Sequence, residues 1–141
     1  MVDESFVLPT IFSTLPIMLS LSLSLSLSIY LSEVARVSRF AASLYGNVAA
    51  CHLLSGRFDD ARAVCDESLA RDATDVRVVY RKARALMGLA DYEQCRRVCH
   101  LGLALEPGNA ALRRLHEAAR VHGLSQQQPL VRGLRRFFGA S

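Results

Sequence analysis

Residues 42–75, ASLYGNVAACHLLSGRFDDARAVCDESLARDATD, and residues 76–109, VRVVYRKARALMGLADYEQCRRVCHLGLALEPGN, align without a gap. The alignment sets Ala49 over Ala83, Phe58 over Tyr92, Arg62 over Arg96, Val64 over Val98, Cys65 over Cys99 and Leu69 over Leu103, a period of 34 residues. A repeat of that length is one supersecondary unit that buries its apolar face against its neighbours. Each unit reads as two helices. The A helices are expected at 44–55 and 78–89, the tight turns at Gly56-Arg57 and Ala90-Asp91, and the B helices at 59–71 and 93–105. Small residues at Ala49, Ala61, Ser68, Ala83, Cys95 and Gly102 let paired helices approach closely, while Phe58, Tyr92, Leu69 and Leu103 fill the space between them. Pro107-Gly108-Asn109 ends the second unit, and residues 110–122 form one more amphipathic helix through Leu112, Leu115, Ala119 and Val121.

The rest of the composition agrees with an all-α body. The chain has 141 residues, enough for one small domain and too few for two with full cores. Outside the N-terminal stretch it is rich in Ala, Leu and Arg and poor in β-branched residues, which argues against an all-β enzyme. The net charge of +4 is unevenly placed. Residues 42–109 carry nine basic and nine acidic side chains, whereas residues 110–141 carry six Arg against Glu117 alone. No basic run reaches the density of a nucleic-acid footprint, so no nucleic-acid partner is expected. The four Cys fall in no zinc spacing. Reduced thiols in an intracellular compartment, and a cytoplasmic location, follow as expectations.

The N-terminus is of another kind. From Ser5 to Ser32 no charge occurs, and Leu19-Ser20 begins five consecutive Leu-Ser pairs, so residues 1–30 form a low-complexity hydrophobic segment. Three accounts compete for it. Its length suits a membrane signal-anchor through residues 5–32, which would leave the repeats facing the cytosol, although Pro9, Pro16 and the alternating serines lower the hydropathy. Strict alternation also reads as a strand, but no second strand pattern offers it a sheet. Translation of a CT-dinucleotide tract would give the same alternation, which points to noncoding DNA or a misplaced start. The acidic opening Met1-Val2-Asp3-Glu4 does not suit a cleavable secretory signal. At the other end, residues 123–141 read as a basic flexible tail beyond Gln126-Gln127-Gln128, because Gly133 and short length disfavour a free helix.

The repeated residues resemble the tetratricopeptide repeat family. Tyr45, Val48, Ala49, Phe58, Ala61, Cys65, Ser68 and Leu69 in the first unit fall on its signature positions, as do Ala83, Leu86, Tyr92, Cys95, Cys99, Gly102, Leu103 and Pro107 in the second. His52 and Ala73 depart from it. The resemblance implies antiparallel helix-turn-helix pairs stacked as a short right-handed superhelix over residues 31–122, with 110–122 as the cap. Leu31-Ser32-Glu33-Val34-Ala35-Arg36-Val37 looks like the end of a preceding B helix whose A helix is replaced by the Leu-Ser tract, so the first repeat is truncated.

Within the family, the two units look like the second and third repeats of co-chaperones that bind the C-termini of Hsp70 and Hsp90 through a carboxylate clamp. Asn47, Arg77 and Arg81 match three of its five elements, with Arg77 standing for a Lys; the other two positions fall near Phe12 and Pro16 and are lost. Independently, Arg77, Arg81 and Arg84 span about 60° of one helix face. Such a stripe can bind carboxylates bidentately, with Asn47 donating from the neighbouring helix, or it can be an ordinary solvated face. The expected peptide-binding set is Asn47, Arg77, Arg81 and Arg84. The expected partner is an Hsp90 or Hsp70 C-terminal peptide or another acidic-tailed protein.

Cys95, Cys99 and His100 could in principle hold a metal, but in the repeat register both thiols take packing positions, so no metal is expected. No nucleophile-base-acid set, phosphate loop or paired carboxylates can be assembled, so no enzyme and no cofactor are expected. The missing first A helix leaves apolar surface around Leu44 and Val48 to be wetted or covered, which makes self-association an expectation as well.

Overall fold

The computed structural model describes residues 7–139, with side chains from Ser13 onward. It contains five helices in chain order: α1 (Val7–Leu54), α2 (Phe58–Arg71), α3 (Val76–Gly88), α4 (Tyr92–Leu105) and α5 (Ala110–Phe138). Among the described residues there is no strand. The chain forms two compact units, one ending at Ser38 and the other starting at Arg39.

In the first unit the Leu-Ser tract is α-helical, which removes the strand reading. A helix scatters alternating Leu and Ser around its circumference rather than sorting them onto two faces. The serines are accommodated by bonding back to their own backbone: Ser24 Oγ donates to the Leu21 carbonyl at 3.0 Å, Ser26 to Ser22 at 2.9 Å and Ser32 to Ile29 at 2.7 Å. The leucines of the tract are exposed. So are Leu31, Val34 and Val37, the residues read as the end of an earlier B helix. The opening residues Met1 to Glu4 lie outside those described.

The second unit is the stacked repeat. The end of α1 with α2 is the first helix pair, α3 with α4 the second, and α5 the cap. Both expected turns sit where the period places them: Gly56 has φ 70° and its repeat-mate Ala90 has φ 59°. A left-handed residue closes each inter-helix turn, and at position 90 a Cβ is tolerated at a cost of about 1 kcal/mol. Three helices start on side-chain caps. Asp75 accepts the Arg77 N–H, Asp91 accepts the Gln94 N–H and Asn109 accepts the Leu112 N–H, satisfying donors that a helix start leaves free. Helix α2 has no side-chain cap, but Asp59 and Asp60 in its first turn complement the positive end of its dipole.

Two apolar clusters hold the pairs together. Val79, Ala83, Leu86, Cys95, Val98, Cys99, Leu112 and Ala119 knit α3, α4 and α5, while Ala49, Cys65 and Val78 join the first pair to α3. The small repeat positions do what the register demands. Ser68 is fully buried and donates its hydroxyl to the Ala42 carbonyl at 2.7 Å, and Gly102 lies so close to Leu112 and Val79 that a Cβ would meet them at 2.7 and 2.9 Å. On the N-terminal side Leu44 and Val48 remain 51% and 46% exposed.

Two boundaries differ from the sequence reading. The body starts at Arg39 rather than at residue 31. The cap does not stop at His122, and residues 123–138, read as a flexible tail, continue α5. Nothing at the boundary breaks the helix: His122 stacks on Tyr92 with ring centroids 5.5 Å apart, and Gly123 faces Tyr92. The glutamines that follow are good helix formers, and Arg135 and Arg136 favour the negative C-terminal end.

Candidate functional site: a groove lined by helix α3

The stripe on α3 looks into a groove of about 810 Å³. Arg77, Tyr80, Arg81 and Arg84 supply one wall, Ala50, Leu53 and Leu54 of α1 a second, and Asp72, Asp75 and Glu106 acidic points on its rim. The helix period explains the wall, since residues at i, i+3, i+4 and i+7 share a face. The groove brings together three of the four expected binding residues. Asn47 is exposed on α1 and lies outside the lining.

The three arginines are not equivalent. Arg77 is engaged with its own helix cap: its Nε and Nη2 donate to the Asp75 oxygens at 3.2 and 3.1 Å. Partial burial raises the Asp75 pKa, but the Arg77 hydrogen bonds and charge, with backbone N–H groups of α3, outweigh it and hold the carboxyl below its ordinary range. The acids on the rim are occupied too. Asp72 accepts from Thr74 at 2.7 Å, and Glu106 accepts from the Asn109 amide at 2.6 Å. Arg81 and Arg84, by contrast, make no ion pair among the described residues. The groove lining is balanced in formal charge, but two of its guanidinium groups stand outside any ion pair beside apolar side chains, positions from which they can reach a carboxylate.

Gly46 is a site residue that the sequence reading missed. A Cβ there would meet Arg81 Nη1 and the Val78 side chain, both at 3.1 Å. A bare backbone at position 46 is what lets the Arg81 guanidinium lie against α1, one residue from Asn47. The signal was the glycine inside a helix, where it costs up to about 1 kcal/mol against Ala and calls for a packing reason. Tyr80 and the Leu53–Leu54 wall were missed as well, because each reads locally as ordinary helix filler. Lys82, next to the stripe in sequence, points elsewhere and pairs with Asp66 at 2.5 Å.

Three of the four cysteines are packing groups, and Cys51 is exposed. Cys65, Cys95 and Cys99 are fully buried, whereas His100 is exposed. Cys95 donates its thiol hydrogen to the Ala83 carbonyl at 3.2 Å across the helix pair. Burial, with Asp66 alongside, pushes the Cys65 thiol up to about 11; the hydrogen bond between Cys95 and Cys99 pushes Cys99 up, together with burial, and Cys95 down. Cys65 and Cys99, held protonated, are poor nucleophiles and poor metal ligands. Of the two further positions expected from the family register, Pro16 lies inside α1, and the Phe12 side chain is outside the described residues.

Comparison with known proteins gives the same picture. The tetratricopeptide repeat family model matches residues 52–119. A mouse (Mus musculus) protein, "FK506-binding protein-like", is 34% identical over 96 residues, which are 68% of this chain and 28% of the relative. The "Hsp70/Hsp90 co-chaperone cns1" of Schizosaccharomyces pombe is 37% identical over 71 residues, 48% of this chain and 20% of that protein. The chain thus spans between a fifth and little more than a quarter of the length of these relatives. Among solved structures, the Arabidopsis OM64 TPR domain superposes with a TM-score of 0.56 at 27% identity, covering 58% of this chain and 68% of that one. The second TPR domain of human RPAP3, solved in complex with the HSP70 peptide SGPTIEEVD, shares the fold with a TM-score of 0.55 at 21% identity, over 57% of this chain and 67% of that one. Residues 52–119 thus match the tetratricopeptide repeat family model, and the stacked helix pairs of this chain share the fold of tetratricopeptide repeat domains.

Proposed function

We propose that the repeat body is a non-catalytic, co-chaperone-type adaptor that binds the acidic C-terminal peptide of Hsp90 or Hsp70, or of another acidic-tailed protein, in the cytoplasm. The observation that carries this reading is the pair of guanidinium groups, Arg81 and Arg84, that line the groove outside any ion pair among the described residues. The relative named as an Hsp70/Hsp90 co-chaperone and the fold neighbour bound to a peptide ending in Glu-Glu-Val-Asp support the choice of partner. Asn47 would join the ligand from α1. Arg77 would do so by exchanging its pairing with Asp75, a small cost because the pair is solvent-exposed on the arginine side. With two clamp positions lost, at about 1.5–3 kcal/mol for each charge-assisted bond, binding is expected to be weak. Titration calorimetry with a Glu-Glu-Val-Asp-terminated peptide tests it. Affinity should fall steeply with added salt, as exposed charge pairs demand, and a scrambled peptide of equal charge that bound as well would refute selective recognition.

A second reading has its own observation. Within residues 13–54 of α1 an 18-residue window reaches a mean hydropathy of 1.7 with its side chains unburied, long and apolar enough to cross a bilayer. In that reading the repeats are a receptor held at a membrane and facing the cytosol. Retention of the expressed chain in the pellet after alkaline carbonate washing is the expected result, and its release to the supernatant would remove the anchor.

A further inference from the structure

The end of α5 carries surface that neither the repeat packing nor the groove uses. At about 100° per residue, Leu130, Val131, Leu134, Phe137 and Phe138 fall within an arc of roughly 120°, and Arg132, Arg135 and Arg136 occupy the opposite side. All five apolar side chains are exposed, Phe137 at 82% and Phe138 at 73%, and the two rings meet edge to face at 5.8 Å to form one patch. The three arginines make no ion pair among the described residues. No acid follows Glu117 in the sequence, and Glu117 is itself held by Arg120 at 2.6 Å. A shallow cleft of about 340 Å³ opens on the basic side between Arg132 and Arg136, one turn apart, where Gly133 has nothing within 4 Å of the position of a Cβ.

We propose that residues 129–138 are a membrane-surface helix, which lays its Leu-Phe face into the interfacial region of a bilayer and sets its arginines among anionic lipid headgroups. Charge complementarity selects this occupant. A purely apolar partner would leave three unpaired guanidinium groups at its rim, whereas an anionic headgroup layer neutralises them at the depth where the apolar arc is buried. The cleft between Arg132 and Arg136 has room for a lipid phosphate, which two guanidinium groups can hold from both sides. A closed protein groove fits less well, since it would have to enclose the basic arc along with the apolar one. Pro129 and Gly133 weaken the free helix, so part of its order comes from the surface it meets.

Vesicle co-sedimentation of the full chain tests this. Binding to phosphatidylcholine vesicles should rise at least about tenfold when roughly 30% phosphatidylserine is included, and the gain should shrink at high salt. Variants confined to residues 129–138 leave α1 intact, and their comparison with the parent chain separates the contribution of that segment from any affinity of α1 for lipid. The triple variant R132Q/R135Q/R136Q should lose the phosphatidylserine gain. The variant F137S/F138S should lose binding at the same surface, and both should keep the parent melting temperature, because these side chains pack on nothing in the body. A gain that is absent, or unchanged in both variants, overturns the proposal. So does a calcium-dependent complex with calmodulin, an acidic helix-groove protein, that the variants lose while the parent shows no phosphatidylserine gain.

Discussion

Leu112→Ala is expected to destabilise the repeat body by about 3 kcal/mol, within the roughly 2–5 kcal/mol seen when a buried leucine is truncated. Leu112 is fully buried, the largest side chain in that state, and it joins the cluster shared by α3, α4 and α5. Its methyl group lies against Gly102, where a Cβ would meet it at 2.7 Å, so no neighbouring side chain on that part of α4 can swing in to fill the gap. The loss also bears on an array of only two full units and a cap, in which each interface carries a large share of the total stability. A loss of that size lowers the melting temperature by roughly 10–20 °C for a domain of this length. Thermal unfolding followed by circular dichroism reads it, with Leu101→Ala as the control: Leu101 is on the same helix layer but 64% exposed and should cost less than about 0.5 kcal/mol. If the two variants melted alike, α5 would not be the cap that seals the second repeat.

Arg81→Glu is expected to reduce binding of an acidic peptide by about a hundredfold while leaving the melting temperature close to the parent. The estimate joins the loss of one charge-assisted hydrogen bond, about 1.5–3 kcal/mol, to the repulsion of a carboxylate facing an acidic ligand. Stability should be spared because Arg81 has no ion-pair partner among the described residues to leave stranded. Arg77→Glu should cost the ligand less, since Arg77 already shares its charge with Asp75, but it should cost the fold more. It removes the group that holds the Asp75 carboxylate in its charged form and places a like charge beside it. Opposite rankings of the two variants for binding and for stability would be the signature of that division of labour.

Much of this organisation was legible in the residues, and the parts that were not have physical reasons. The 34-residue period located both turns because the left-handed position recurs at Gly56 and Ala90, and the caps at Asp75, Asp91 and Asn109 stand immediately before their helices. The Leu-Ser tract has a period of two, which is a strand signal only when one face has a partner, and the sequence already offers none. Without one, serines that bond their own carbonyls leave helix as the structure that satisfies the backbone. The length of α5 was hidden by Gly133 and the shortness of the segment beyond the glutamines, which disfavour a free helix in isolation; upstream, Gly123 lies against Tyr92 and lets the helix run on. In the groove, helical spacing found Arg77, Arg81 and Arg84, but that Arg77 alone is held in an ion pair depends on the local cap contact with Asp75. Asn47 was placed by family register, and the groove lining passes instead through its neighbours Ala50, Leu53 and Leu54.

The claim that Arg81 reads a ligand carboxylate is tested most directly by a double-mutant cycle. Arg81→Ala on the protein is combined with replacement of the terminal Asp of a Glu-Glu-Val-Asp peptide by Ala, and all four affinities are measured at one salt concentration. A coupling energy between about 1 and 3 kcal/mol is the predicted result, as for groups in direct charged contact. Strictly additive losses, with no coupling beyond about 0.3 kcal/mol, would mean that the two groups do not meet and would contradict the proposed groove.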